Sequence, residues 1–245
     1  MTAIETIGLE KSFRGRRAVE GLNLAVGEGE LAALLGVNGA GKTTTIRMLS
    51  CLCRPSGGDA RIFGRSVVSE PARVKPLINL SPQETAVAPN LTVRENLVFL
   101  AGIYGSDRRE ARRRADGIID AFSLGEWAHT RAKTLSGGWQ RRLSIAMALI
   151  TEPKVLFLDE PTLGLDVLAR RELWRLIESM KGKRTVILTT HYLEEAEALA
   201  DRIAVMASGS LRAFGTAAEL KAQTGAQSFE DAFIAIAEGG ERHEK

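Results

Sequence analysis

The sequence predicts an α/β fold with a parallel-sheet core, an N-terminal antiparallel β part and an inserted helical subdomain. Three observations predict it. Residues 31–35, 154–158 and 184–189 are nearly continuous apolar runs, as parallel strands covered on both faces require. Residues 3–9 and 17–26 alternate apolar and polar side chains, the period of antiparallel strands with one face in water. From Leu91 to Thr151 the spacing becomes that of helices.

Taken in order, the strands over 3–9 and 17–26 end in a Gly27-Glu28-Gly29-Glu30 turn that leads into the strand over 31–35. A glycine-rich stretch then opens a helix running to Leu52. Pro55, Gly57 and Gly58 mark a second turn, followed by short strands at 60–63 and 77–81. Thr92 with Glu95 three residues on is a capping box, and it starts the helix over 92–103. Helices over 107–122 and 137–151 follow, the latter with Leu143, Ala146, Met147 and Ile150 on one face. The strands at 154–158 and 184–189 alternate with helices at 167–180 and 193–200. The tail predicts strands at 202–207 and 210–214 and helices at 216–223 and 228–237. The expected organisation is one domain over 1–245. Its β core is 1–84 with 151–220, its helical subdomain 85–150, and its helical tail 221–245.

Hydrophobic residues make up 44% of the 245 and charged residues 26%, the profile of a globular protein. No apolar run reaches the roughly 18 residues of a membrane helix. Met1-Thr2-Ala3-Ile4-Glu5 lacks the basic and apolar regions of a signal peptide, so a cytoplasmic location is expected. The net charge of +3, from 33 basic and 30 acidic side chains, is too balanced to indicate nucleic acid. Cys51 and Cys53 form a C-x-C pair without the four ligands of a zinc site, and burial as small apolar residues is expected. The basic run from Arg108 to Arg114 reads either as a solvated helix face or as a contact for a partner or acidic lipid head groups.

The stretch Gly36-Val37-Asn38-Gly39-Ala40-Gly41-Lys42-Thr43-Thr44 lies between a strand and a helix, the setting of the P-loop motif G-x-x-x-x-G-K-[ST]. Glycines let main-chain N–H groups face a phosphate chain, and the helix start adds its positive end. Lys42 supplies a point charge for the outer phosphates. The Thr43 hydroxyl can ligate Mg²⁺, which prefers hard oxygens. By average residue usage the pattern arises by chance in about one chain of this length in a hundred. The strand and helix around it make nucleoside triphosphate binding the reading.

Residues 155–158 end in Asp159 and Glu160. In a P-loop protein such a strand commonly lies next to the P-loop strand, with its C-terminal end at the nucleotide. Asp159 can then hold the Mg²⁺ shell and Glu160 can orient and polarise an attacking water. A second anion cradle appears at Leu135-Ser136-Gly137-Gly138, where a hydroxyl and two glycines open a helix. One nucleotide does not need two cradles, so Ser136 and Gly137 fit the nucleotide of a second copy.

With these motifs in place the chain resembles, over essentially its full length, the nucleotide-binding subunit of an ABC transporter. Residues 36–44 match its Walker A motif, Gln83 its Q-loop, 135–138 its signature, 155–160 its Walker B motif, 164–166 its D-loop and His191 its switch histidine. Phe13 stands where that family stacks an aromatic ring on adenine; it lacks the hydroxyl of the commoner tyrosine, which stacking does not need. Trp139 departs from the usual glutamine of the signature. The tail is similar to bacterial exporter ATPases of the drug- and sodium-efflux branch.

The resemblance implies a subunit that pairs head-to-tail with a second copy or a homologous ATPase subunit, holds two MgATP between the chains, and hydrolyses ATP to drive a separate integral membrane permease. His191 would contact the terminal phosphate. Gln83 would couple the nucleotide to the helical subdomain and reach Mg²⁺ or water. The subunit would be peripheral on the inner face of the cell membrane. The alternative is an ABC ATPase without a membrane partner, acting on nucleic acid, ribosomes or cluster assembly. The compact interval between Gln83 and Leu135 has no room for the coiled coil of chromosome ATPases, and no nucleic acid is expected.

Overall fold

The computed structural model describes residues 1–239; the last positions of the expected helical tail, 240–245, lie outside them. Strands β1 (Thr2–Phe13) and β2 (Arg16–Gly27) pair antiparallel. β3 (Leu31–Leu35) leads through the glycine-rich loop into α1 (Lys42–Leu49). β4 (Gly57–Ile62), β5 (Arg65–Ser66), the single-turn α2 (Pro71–Val74) and β6 (Ile78–Ser81) follow. Three helices come next: α3 (Val93–Ile103), α4 (Arg108–Ala121) and α5 (Gly137–Leu149). β7 (Val155–Asp159), α6 (Val167–Glu178), β8 (Thr185–Thr190) and α7 (Leu193–Leu199) then alternate. The hairpin β9 (Arg202–Ala207) and β10 (Ser210–Gly215) precedes α8 (Ala217–Thr224) and α9 (Phe229–Gly239).

Two sheets result. One is four-stranded in the order β2-β1-β4-β5, and the other is six-stranded in the order β10-β9-β3-β8-β7-β6. In the second, neighbouring strands from β9 to β6 run parallel and β10 adds an antiparallel edge. The expectation that β7 lies next to β3 is corrected here: β8 stands between them, pairing Leu35 with Thr190 on one side and Asp159 with Thr189 on the other. The intervening strand places the Thr189 hydroxyl at the carboxyl edge, where it bonds Asp159 and the N–H of Glu160.

Side-chain alternation divides the core into two layers. Leu156 and Leu158 of β7, Leu31 and Leu35 of β3, and Val186 and Leu188 of β8 face the helices, packing with Leu97, Ile119, Leu143, Ile177 and Phe229. Val155, Phe157, Leu34 and Ile187 face the other way, onto Ile46 and Leu49 of α1 and onto Ile4, Leu22 and Ile62 of the antiparallel sheet. Both faces of the parallel strands are therefore covered, which is why they are apolar at nearly every position. α1 is fixed between the two sheets.

Several helix starts are set by local chemistry. Thr92 and Glu95 form the expected capping box, and Thr216 with Glu219 forms another. Asp107 caps α4, and Asp166 caps α6 by accepting from the N–H groups of Leu168 and Ala169. Within the basic run on α4, Arg113 and Arg114 both donate to Glu110 and hold its carboxyl down at about 2; Arg108, Arg109 and Arg112 are exposed. Cys51 and Cys53 are free and half-buried, against the expectation of burial: they lie in the turns just after α1, where the chain returns to the surface.

Candidate functional site

The carboxyl edges of β3, β8 and β7 stand side by side and deliver the polar groups to one place. Beyond β3, close approach of other backbone requires glycine at two of the loop's positions. Gly36 runs so close to β9 that an added Cβ would collide with the Met206 carbonyl. Gly41 has φ of 100°, and a Cβ there would sit 2.6 Å from the Ala18 oxygen. Lys42, 5% exposed, folds back over the loop, donating to the carbonyls of Gly36 at 2.6 Å and Val37 at 3.3 Å. The first main-chain bond of α1 runs from Thr45 N–H to Gly41 O. Among the described residues the N–H groups of Gly41, Lys42, Thr43 and Thr44 have no main-chain acceptor, so four donors and an ammonium are available to one polyanion.

Opposite the loop, Asp159 and Glu160 leave β7. Asp159 Oδ1 accepts from Thr43 Oγ1 at 3.0 Å and from Thr189 Oγ1 at 2.6 Å. Glu160 takes φ of 47°, a left-handed conformation rare for a side chain of its size. Its N–H is held by the carbonyl and hydroxyl of Thr189, at 3.2 and 2.9 Å, which fixes the turn. Its carboxylate lies 3.4 Å from Lys42 Nζ and 2.8 Å from His191 Nδ1. Glu160 is thus a buried anion between a cation and an imidazole, aimed at the space beside the loop.

That space is a cavity of about 840 Å³. Phe13, residues 37–44, Gln83, Glu160 and His191 all line it, bringing together positions drawn from five separate segments of the chain. Lys11 Nζ lies 5.0 Å from the Phe13 ring centroid, and the ring is half exposed at the cavity mouth. A divalent cation fits beside Thr43 and Asp159, whose oxygens are two hard donors only 3.0 Å apart. No group of three or more His, Cys, Asp or Glu among the described residues could hold a metal alone, so further ligands would come from phosphate and water.

Ser136, Gly137 and Gly138 are absent from this cavity. Ser136 and Gly138 border a separate small hollow with Trp139, Arg142 and Glu172. Trp139 packs 5.6 Å from the Trp127 ring and lies under the Arg142 guanidinium, 4.6 Å away. Several groups escaped sequence reasoning. Arg16 and Arg17 line the cavity beside Phe13. Thr189 becomes legible only through the register that pairs it with Asp159. Glu195 is fully buried, with Oε1 accepting from Thr162 Oγ1 at 2.8 Å and Trp174 Nε1 at 3.0 Å, and Oε2 without a partner. Burial pushes its carboxyl above the ordinary carboxylate range.

A family model described as ABC transporter matches residues 19–163, which hold the glycine loop, Gln83, Ser136–Gly138 and the Asp159–Glu160 pair. The chain belongs to the ABC transporter family. The daunorubicin/doxorubicin resistance ATP-binding protein DrrA of Streptomyces peucetius is 49% identical over 224 residues, which is 91% of this chain and 68% of that protein. A solved ATP binding subunit of an ABC transporter superposes with a TM-score of 0.84 at 29% identity, covering 96% of this chain and 99% of that one. A dimeric ATP-binding cassette in a post-hydrolysis state with ADP and Pi gives 0.78 at 25% identity, covering 87% and 98%. The ABC subunit described here is therefore an MgATP-dependent ATPase of the bacterial exporter branch, and the expected α/β architecture is the observed one.

Proposed function

We propose that this ABC ATPase pairs head-to-tail with a second copy or a homologous subunit, hydrolyses ATP in two composite sites, and powers export through a separate membrane permease. The carrying observation is the division of the anion-binding groups. The cavity gathers Phe13, the loop, Gln83, Glu160 and His191, while the Ser136–Gly138 helix start belongs to a different part of the surface. A second chain supplies the missing cradle to each site. ATP then closes the pair, because only the closed state lets one nucleotide touch both chains.

Within each site, Phe13 stacks on the base, and the N–H groups of residues 41–44 with the Lys42 ammonium hold the phosphates. Thr43, Asp159 and Gln83 would hold Mg²⁺, which would neutralise charge on the outer phosphates. Glu160 orients the water that attacks the terminal phosphorus; the bond to the bridging oxygen breaks, leaving ADP and phosphate. His191, bonded to Glu160 at 2.8 Å, steadies the carboxylate and contacts the terminal phosphate. The helical part over 85–150 moves with the signature.

The cargo we infer is a drug of the kind named for the Streptomyces peucetius relative. No described helix is long and apolar enough to cross a membrane; in this reading the permease holds the subunit on the inner face of the membrane. Co-expression with candidate permeases tests this. Purification from membranes should recover one bound integral protein, and the pair should raise resistance to daunorubicin only when Glu160 is intact. Recovery of nucleic acid or ribosomes in place of a membrane protein would sink this reading.

A further inference from the structure

Arg141 lies on α5, five residues after Ser136, and is 4% exposed. Its guanidinium donates to four main-chain carbonyls: Nε to Pro161 at 2.8 Å, Nη2 to Asp159 at 2.7 Å, and Nη1 to Gln83 at 3.2 Å and to Pro82. All three of its nitrogens are engaged, and every acceptor is backbone. Burial lowers the group to about 10 while the charges of Asp159, Glu195 and Glu160 oppose that fall, so it stays cationic at neutral pH.

The acceptors decide what this arrangement does. Pro82 and Gln83 follow β6, whereas Asp159 and Pro161 flank Glu160 after β7. These two strand ends carry Gln83 and Glu160, and both side chains line the cavity. A side chain present only to fill space would not require a guanidinium. A methionine has similar length and no donor, and it would take the guanidinium away from the buried carbonyls of Asp159 and Pro161 and from the part-buried ones of Pro82 and Gln83. The loops would turn to find partners, carrying Gln83 and Glu160 with them. The helix that holds this guanidinium also begins at Ser136, the cradle that lies outside the cavity.

We propose that Arg141 is a positioning residue that clamps α5 to the backbones of Gln83 and of the Asp159–Pro161 turn, so that engaging the Ser136–Gly138 cradle and placing Glu160 are one mechanical event. This rests on the reading of Glu160 as the water-orienting residue. A rigid planar fork grips both strand ends at once, where a lysine ammonium on a flexible stem would reach only some of the same oxygens.

The test compares Arg141→Met, Arg141→Lys and Glu160→Gln in the full chain, measuring kcat and KM for ATP and amide hydrogen exchange. For Arg141→Met, kcat falls about a hundredfold, while KM stays within about threefold because the loop and Phe13 hold ATP. Arg141→Lys restores part of the lost kcat. Exchange quickens at residues 83–84 and 160–163 and is unchanged in β3. A purely structural residue would instead lower the melting temperature and leave kcat per folded molecule at the parent value, which overturns the proposal. If Glu160→Gln is inactive and Arg141→Met turns over normally, this inference alone fails. If Glu160→Gln stays active, the catalytic reading fails, and exchange at 83–84 and 160–163 still decides the clamp. Should Arg141→Met not fold, Arg141→Lys carries the decision: parent kcat with parent exchange overturns it.

Discussion

His191 Nδ1 stands 2.8 Å from Glu160 Oε2, joining the end of β8 to the turn after β7 across the mouth of a buried acid. The same carboxylate has Lys42 Nζ at 3.4 Å. Glu160 therefore sits between two groups that, in the proposed reaction, also serve the phosphate.

Glu160→Gln keeps the size and the strained backbone of this position and removes the charge. Turnover should fall roughly 10²–10⁴-fold, the usual contribution of a positioned base. ATP should still bind, and the variant should accumulate as an ATP-bound dimer on size exclusion. Hydrolysis at the parent rate would show that another group orients the water.

Lys42→Ala removes the ammonium that bonds the Gly36 and Val37 carbonyls and faces the proposed phosphate site. Calorimetric titration should show MgATP affinity reduced about a hundredfold or more, the loss of a charge-assisted contact of roughly 3 kcal/mol. Unchanged affinity would place the triphosphate elsewhere.

Mixing tests the shared site. Ser136→Arg in one chain and Lys42→Ala in another each give homodimers with two defective sites. The mixed dimer collects both lesions in one site and leaves the other whole, so ATPase activity should return in part. ATP-dependent crosslinking of cysteines placed near Gly39 and Gly138, in a chain lacking Cys51 and Cys53, should accompany it. Absence of both signals would refute the head-to-tail pair.

Glu195 gives a pH prediction. Burial raises its folded value above the ordinary 4.5, despite bonds from Thr162 and Trp174 that favour the charged form. The folded chain therefore holds this proton more tightly than the unfolded one. Its contribution to stability is full below about pH 4.5 and is lost as pH rises through the folded value. Glu195→Gln keeps the acceptor for Thr162 and Trp174 and cannot ionise. Its melting temperature, relative to the parent, should rise from pH 4.5 to pH 8 in a thermal-shift series. A constant difference across that range would mean that Glu195 does not titrate differently on folding.

How much the sequence reveals depends on whether a feature leaves a mark in residue type. β3, β7 and β8 do, because strands covered on both faces are apolar throughout and end abruptly in Gly36, Asp159 and His191. β5 and α2 span too few residues to establish a period. The order of β3, β8 and β7 is hidden, since parallel neighbours need not follow one another along the chain. The positions that meet around the cavity are motif positions, except for Arg16, Arg17 and the remaining rim. Arg141 escapes notice because it sits in a Gln140-Arg141-Arg142 string that reads as surface. Its partners are carbonyls, which every residue has and which no pattern of letters reveals. Trp139 breaks the expected signature, and its place under Arg142 beside Trp127 explains how that ring is housed.

The intervening β8 has a consequence for how the molecule comes apart. Neighbouring strands stand roughly 4.8 Å apart, so His191 and Glu160, each one residue past the end of its strand, are set out by the ladder bonds of β8 and β7 and not by a loop. Their mutual distances survive as long as the sheet does. In a urea titration, loss of nucleotide binding should coincide with the global transition. The half-site on α5 has no strand of its own and depends on side chains to stay in line, so gradual wear in this ATPase should show first as lost coupling between chains, with each chain still gripping its nucleotide.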